Sequence, residues 1–240
     1  IDIVYASTVE CGNCGPQNDG TKLIYAVTKS SGAGSPGMPA EVIYTVDGGA
    51  SWAQSNITGF GATEDPVAID IVGDYLVVVG EDALYWAEIN SGTGVPGTYT
   101  KVTTGFVAAG SPRDIFVLSG REVWFCGDGG YIYKSTDITS GVTVVLDGTT
   151  YTEDLKRIHG LDETIVTVGT VGQVLYTINR GATWTASTTS PVAATLQALD
   201  VKSEKLWWVG SIAGRLYYTL NGGESWYEKT FSGSGIGAIY

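Results

Sequence analysis

The chain has 240 residues, which is enough to bury a substantial core without disulfide staples. Its 25 acidic and 13 basic residues leave a net charge of −12, which repels phosphate backbones and anionic lipid and argues against a nucleic-acid partner. Apolar runs stop at about five residues, far short of the roughly 18 that a membrane span requires, so we predict no membrane span.

Glycine is abundant, with 34 residues, and only 16% of the chain is charged, as is typical of a turn-rich all-β protein. The chain begins at Ile1 without a Met or a secretion-signal pattern, so we expect a processed product or a piece of a longer protein. Cys11 and Cys14 form a C-x-x-C, but a zinc site would need two more ligands and only Cys126 and His159 remain. We therefore predict no metal and no cofactor, and a short-loop disulfide or two free thiols stay open.

In chain order, a pattern of four short strands recurs every 40 to 50 residues. An inner strand a leads through a polar turn to an apolar strand b, an alternating strand c and a polar outer strand d. A strand that is apolar on both faces, as strand b is, is expected between neighbouring sheets. Four copies of strand b end in Gly, at 77–80, 124–127, 166–169 and 207–210, and these glycines are spaced 47, 42 and 41 residues apart. A looser copy without the Gly precedes them at 22–27.

Four antiparallel strands at this spacing are typical of a β-propeller blade. We predict an all-β fold, a single β-propeller domain over 1–240 with five four-stranded antiparallel blades, either a complete ring or part of a larger one. The last residues, 233–240, would begin a further strand or close the ring. The predicted blades cover about 1–58, 59–105, 106–149, 150–190 and 191–232.

One hairpin motif lies between strands c and d and occurs three times, at 44–52, 176–184 and 216–226. An Asp or Asn side chain is expected to accept hydrogen bonds from backbone amides of its own turn, while Gly adopts positive φ. The Trp that follows is expected to pack its ring into the blade with its indole N–H near polar atoms. We assign these residues a structural role: Asp47, Trp52, Asn179, Trp184, Asn221 and Trp226.

The motif resembles the Asp-box or BNR repeat, with the pattern S/T-x-D-x-G-x-S/T-W. Residues 45–52 fit it fully, 177–184 and 219–226 fit with Asn for Asp, and 136–143 is a degraded copy without the Trp. The resemblance implies a propeller of the sialidase-like superfamily. Proteins with this repeat include sialidases and other glycosidases, sortilin-type receptors, photosystem assembly factors and bacteriophage virion proteins, and the fold does not choose among them.

A sialidase-like site would need a cluster of three arginines, but only Arg113 and Arg157 lie near the start of a strand a. Paired carboxylates of another glycosidase are harder to exclude, because any two acidic residues could serve as its acid and base. Three alternatives stay open for such loop carboxylates: they solvate a surface, bind a cation or dock a basic partner. The candidates for such a pair are Asp65, Asp82, Asp128, Glu153 and Asp154.

We predict a non-catalytic structural or binding module, found outside cells or in a virion, that contacts protein or surface glycan in a larger assembly such as a bacteriophage virion. The small fraction of charged residues, the abundance of small residues and the lack of a recognisable catalytic motif favour this function. Two alternatives stay open: a glycoside hydrolase with paired carboxylates, and an assembly factor that uses a clustered arginine patch. The candidate binding residues are Arg113, Arg157, Phe60, Phe106 and Tyr151.

Overall fold

Short strands joined by tight turns form hairpins in the part of the chain that the structure describes. The computed structural model describes residues 3–9, 23–28, 41–57, 66–119, 122–230 and 236, with the backbone alone at 3–9, 28, 119 and 230. These residues form five four-stranded antiparallel sheets, and within each sheet every strand pairs with the next one along the chain. The prediction of an all-β fold built from four-stranded blades is confirmed. No helix in this part of the chain is long and apolar enough to cross a bilayer.

The first of two compact units contains blades 1 and 2 and comprises Ile1–Phe106, Ser119–Glu122 and Ser135–Val142. Its core lies between the two sheets, where Tyr25 and Leu76 are fully buried. Blade 1 consists of β1 (Ile3–Val9), β2 (Leu23–Thr28), β3 (Glu41–Thr45) and β4 (Ala53–Asn56). Blade 2 consists of β5 (Ala68–Val72), β6 (Tyr75–Val79), β7 (Leu84–Glu88) and β8 (Thr100–Val102).

The second unit, Val107–Leu118, Val123–Lys134 and Thr143–Tyr240, contains most of blade 3 and all of blades 4 and 5. Blade 3 consists of β9 (Pro112–Ser119), β10 (Glu122–Gly127), β11 (Tyr131–Ser135) and β12 (Thr143–Asp147). Blade 4 consists of β13 (Leu155–Leu161), β14 (Thr164–Gly169), β15 (Val174–Thr177) and β16 (Thr185–Ala186). Blade 5 consists of β17 (Leu196–Val201), β18 (Trp207–Ser211), β19 (Arg215–Thr219) and β20 (Tyr227–Thr230).

The twenty strands of the described residues fall within the predicted blade boundaries, whereas a single domain over 1–240 stays a prediction. Apart from Ile236, the predicted further strand at 233–240 lies outside the described residues, as do Cys11 and Cys14. Strand b is buried on both faces, as predicted, and all six residues of β14 are buried. Sheets that cover both faces of strand b explain why its sequence is continuously apolar.

The strand register corrects the repeat alignment in blade 5. Trp208 pairs with Tyr218 on the neighbouring strand, as Val166 pairs with Tyr176 in blade 4. Ser211, and not Gly210, is therefore the equivalent of Gly169, so the last repeat is one residue longer than the Gly pattern indicates. The Gly pattern misleads here because Gly210 is needed for a different reason: a Cβ at this position would lie 2.6 Å from the side chain of Ile236.

The prediction of polar outer strands is correct for four blades and wrong for blade 3. The outer strands β4, β8, β16 and β20 are short and carry polar or charged residues. In contrast, β12 reads Thr-Val-Val-Leu-Asp, and its three central aliphatic residues are half-buried.

Candidate functional site

Strands β9 and β13 begin in the same way in neighbouring blades of the second unit. The residue before each strand accepts a backbone hydrogen bond from the turn after strand b: Ser111 O from Asp128 N at 3.0 Å, and Asp154 O from Thr170 N at 2.9 Å. These equivalent bonds place the strand starts and the turns between strands b and c on one side of the unit, which we call the loop face. Charged side chains from blades 3 and 4 meet there.

Four of these side chains form an ionic cluster, the Arg113 network, which consists of Arg113, Asp128, Asp154 and Lys156. Arg113 Nε donates to Asp128 Oδ1 at 2.8 Å, and Arg113 Nη2 donates to the second oxygen of the same carboxylate. Lys156 Nζ lies 3.4 Å from Asp128 Oδ1 and 3.2 Å from Asp154 Oδ2. The Gly129 amide donates to Asp154 Oδ1 at 3.0 Å. A bidentate guanidinium contact is rigid as well as strong, so the network holds its charges in fixed positions.

The surroundings of Asp154 favour its ionised form. The hydrogen bond from the Gly129 amide lowers the pKa of Asp154, and Lys156 and Arg113 lower it further. A general acid in glycoside hydrolysis needs the opposite shift, a pKa raised towards neutrality. The geometry therefore suits Asp154 to a fixed negative charge better than to proton donation.

The structure brings together some of the predicted acidic candidates and separates others. Asp128 and Asp154 share Lys156, and Glu153 accepts a hydrogen bond from the Thr170 hydroxyl at 3.0 Å. Asp82 belongs to the first unit, where its side chain is 67% exposed and lies 3.9 Å from Lys101 Nζ. Asp65 lies outside the described residues.

The predicted binding residues are likewise engaged to different degrees. Arg113 is held by Asp128, and Arg157 donates from Nη1 to the Lys156 carbonyl at 2.7 Å. The Tyr151 ring packs against the core between blades 3 and 4. Phe106 is half-buried in the first unit, and Phe60 lies outside the described residues. The placement of these residues does not by itself assign a ligand to them.

Two exposed aliphatic residues on the loop face are absent from the sequence prediction. Val171 is 61% exposed and Ile212 is 51% exposed, each in the turn between strands b and c of its blade. Val171 has φ 55° and ψ 23° in a turn closed by Gln173 N donating to Thr170 O at 2.9 Å. Positive φ is strained for a β-branched residue. Alignment of the two turns, Asp-Gly-Gly in blade 3 and Thr-Val-Gly in blade 4, would have revealed a Val where Gly129 takes φ 61°.

The hairpin motifs form as predicted. Asp47 Oδ1 accepts a hydrogen bond from the Ser51 amide at 2.9 Å, and the Asn residues of blades 4 and 5 accept the equivalent bonds at 2.9 and 3.0 Å. Asp47 also accepts a hydrogen bond from the Ser51 hydroxyl at 2.5 Å, and this bond, the Ser51 amide and the Thr45 hydroxyl lower the pKa of Asp47 well below its ordinary value. An Asn keeps the carbonyl acceptor, which explains why Asn179 and Asn221 replace Asp without loss of the turn.

The motif tryptophans differ more than the sequence predicts. Trp226 donates to Thr189 O at 3.0 Å, and the ring of Trp184 lies 6.1 Å from that of Trp124 in the preceding blade. Trp184 Nε1 has no hydrogen-bond partner among the described residues, and Trp52 is 51% exposed. Trp184 and Trp226 pack against the cores of their blades, whereas half of Trp52 is exposed. Sequence cannot show this difference, because it depends on which neighbouring residues support the ring.

Comparisons with solved structures bear on the fold. YCF48 from Cyanidioschyzon merolae aligns with a TM-score of 0.52 and 14% identity, covering 73% of this chain and 59% of that chain. The GH74 xyloglucanase from Xanthomonas campestris aligns with a TM-score of 0.61 and 12% identity, covering 87% of this chain and 36% of that chain. The chain is a β-propeller. This propeller also aligns with YCF48 bound to D1 peptide, with a TM-score of 0.44 and 14% identity, covering 95% of this chain and 87% of that chain.

No protein-family model and no curated protein sequence matches the chain. At identities of 12% and 14%, the structural similarity establishes the fold of this propeller and leaves its function open. The residues of the loop face themselves must therefore indicate what this propeller does.

Proposed function

We propose that this propeller is a non-catalytic module that binds a partner protein through the loop face of its second unit. The observation that carries the proposal is the Arg113 network. Carboxylates that could act as acid and base, Asp128 and Asp154, are instead bound by a guanidinium, an ammonium and a backbone amide. Such an arrangement suits recognition, because it presents charges in fixed positions.

Val171 and Ile212 supply the apolar component of the same face. Protein interfaces combine exposed apolar groups with a polar surround, and both components lie on this face. A β-branched residue at positive φ costs about 1–3 kcal/mol, and strain of this kind is concentrated at functional sites. Because Val171 is 61% exposed in the free protein, its side chain gains little burial that would offset this strain. Contact with a partner would bury the Val171 side chain and so offset the strain.

The proposal is tested by replacing the two aliphatic residues. Partners captured from an extract of the native source are identified by mass spectrometry, and the affinity of the purified partner is then measured by calorimetry. We expect Val171→Gly combined with Ile212→Ser to weaken binding about tenfold or more. Val171→Gly alone should leave stability unchanged or raise it by up to about 1 kcal/mol, because it relieves the strain at positive φ.

The matched control is Leu220→Ser, which removes an aliphatic side chain of similar exposure from the hairpin between β19 and β20. This variant should bind the partner as the wild type does. Unchanged affinity in the Val171→Gly and Ile212→Ser double variant would contradict the proposal, and so would an equal loss in Leu220→Ser.

A glycoside hydrolase is the second candidate, because Asp128 and Asp154 both lie within 3.4 Å of Lys156 Nζ. Catalytic carboxylates of glycosidases lie about 5–10 Å apart, a separation that this arrangement permits. Release of reducing ends from xyloglucan and from a panel of other glycosides tests the hydrolase. We expect no release. Hydrolysis that is abolished by Asp128→Asn and by Asp154→Asn, but is unchanged by Val171→Gly, would favour the hydrolase over the binding module.

The remaining functional predictions have less support. An assembly factor with an arginine patch is disfavoured because Arg113 is neutralised by Asp128. None of the three structures above is a virion protein, so a place in a bacteriophage particle stays a prediction, as does glycan binding.

A further inference from the structure

A second surface of the propeller lies along the outer strand of blade 3, beside the loop face. Natural proteins protect such edges with charged residues or by keeping the strand very short. The outer strands of blades 2, 4 and 5 show these devices: Lys101 lies on β8, Lys229 lies on β20, and β16 has two residues. In contrast, the centre of β12 has three consecutive aliphatic residues, Val144, Val145 and Leu146, and no charged residue among them.

The register of β12 explains why all three aliphatic residues are half-buried. Val144 pairs with Tyr133 and Leu146 pairs with Ile132, which leaves Val145 without a cross-strand partner. Such a bulge turns neighbouring side chains away from strict alternation. The three side chains line an open cleft of about 570 Å³ together with Tyr131, Val107 and Asp147. This volume lies in the range of ligand-binding clefts.

The backbone of β12 is also available for pairing. As the last strand in its sheet, β12 pairs with β11 alone among the described strands. An outer strand directs part of its amides and carbonyls away from the sheet, where they can pair with an added strand. Backbone pairing supplies affinity in this mode of binding, and side-chain pockets supply specificity. The edge and the cleft of blade 3 offer both.

Charge indicates what kind of segment fits. Asp147 ends the strand and lines the cleft, and hydrogen bonds from the Thr149 hydroxyl and amide to its Oδ1 lower its pKa. Its carboxylate is therefore charged at neutral pH. A second copy of this chain would bring another net charge of −12, which opposes self-pairing through this edge. A segment that carries a cation complements the site better.

We propose that β12 binds an extended segment of a partner protein as an added strand, with aliphatic side chains in the cleft and a Lys or Arg beside Asp147. This inference goes beyond the proposed function, because it concerns the outer strand of blade 3 and uses neither Val171 nor Ile212. The two proposals can therefore fail separately. The bound segment would have alternating aliphatic and polar residues, since successive side chains of a strand point to opposite sides.

A peptide library tests the inference. Peptides of about eight residues are displayed on phage. Peptides that bind the Val144→Lys variant are removed first, and the remaining peptides are selected for binding to the wild-type chain. Val144→Lys introduces the protective charge that other outer strands carry, and circular dichroism confirms its fold. Gln54→Lys, the same kind of change on the exposed part of β4, is the matched control. Selected peptides should lose affinity about tenfold on Val144→Lys and keep it on Gln54→Lys.

Asp147→Asn tests the charge, because the amide retains the oxygen that accepts from Thr149. We expect weaker binding and a reduced dependence on salt between about 50 and 300 mM, with stability unchanged. Amide hydrogen exchange in the complex should show protection at Thr143–Asp147.

Several results would overturn the inference. A selection that yields no peptide dependent on Val144 is one. Protection confined to the turns of Val171 and Ile212 is another, because it assigns binding to the loop face alone. Light scattering that shows a wild-type dimer, dissociated by Val144→Lys, would make a second copy the occupant of the edge.

Discussion

Gly129 and Gly130 are adjacent in one turn, yet a methyl group has a different consequence at each. At Gly129 an added Cβ would lie 3.3 Å from the nearest atom, Ala109 O, whereas at Gly130 it would overlap the Tyr151 carbonyl. Both residues have positive φ, so the strain of left-handed backbone is common to the two changes. The difference in unfolding free energy between the two variants therefore measures the contact with the Tyr151 carbonyl alone.

We expect Gly129→Ala to lower the free energy of unfolding by about 1 kcal/mol and Gly130→Ala to lower it by about 3 kcal/mol or more. Val171, which occupies the position of Gly129 in blade 4, supports the smaller value because it shows that a side chain fits there. Urea unfolding of both variants measures the difference. Equal effects would mean that backbone strain, and not the Tyr151 contact, accounts for the glycine at 130.

His159 makes stability depend on pH near neutrality. Its Nδ1 accepts a hydrogen bond from the Val201 amide at 3.0 Å, which links β13 to β17 and requires a neutral ring. Burial lowers the pKa of His159, Asp200 opposes this shift, and Lys202 adds to it. Since the folded pKa lies below the unfolded value of about 6.5, the unfolded chain takes up the proton first.

The free energy of unfolding should therefore be constant above about pH 7 and fall as the pH drops below about 6.5 towards the folded pKa. Urea unfolding between about pH 5.5 and 7.5 measures this decline. His159→Gln should flatten the profile in this window. A decline of equal slope in the variant would assign the effect to other groups.

At the scale of the element, the hairpin between strands c and d is the repeated unit of the fold, but its Trp is supported unequally. Trp226 donates to Thr189 O and lies 6.4 Å from the ring of Trp207, whereas Trp52 is half exposed. The same motif therefore stabilises the blades to different extents. The turn itself is equivalent in each copy, because Asp47, Asn179 and Asn221 accept the same backbone hydrogen bond.

We expect Trp226→Ala to lower the free energy of unfolding by about 2 kcal/mol and Trp52→Ala to lower it by less than about 1 kcal/mol. Urea unfolding checks both values. Trp226→Phe separates the two contributions, since it retains most of the ring and removes the indole N–H. A larger effect at Trp52 than at Trp226 would contradict the interpretation that burial of the ring decides the role of the motif.

At the scale of the whole molecule, the net charge of −12 governs long-range encounters. The basic residues of the loop face do not reverse this, because Arg113 and Lys156 are paired with carboxylates. We expect no mobility shift of duplex DNA at about 50 mM or at about 150 mM salt. A shift that disappears as salt is raised would show that a local basic surface outweighs the net charge.

Sequence by itself determined the repeat, the four-stranded blades and the turns, because each depends on residues close together in the chain. The alternation of 173–178 and the Asn at 179 define a strand and its turn without any information about the rest of the molecule. The predicted boundaries of the blades contain every described strand for the same reason.

Tertiary structure alone decided the site. Asp128 and Lys156 are 28 residues apart and lie in different blades, so no local pattern indicates that they meet. The exposure of Trp52 and the cleft along β12 likewise depend on which side chains of other strands or loops lie alongside. Periodicity specifies which face of a strand is apolar, whereas the packing of neighbouring blades decides which charges are paired and which apolar groups remain open to a partner.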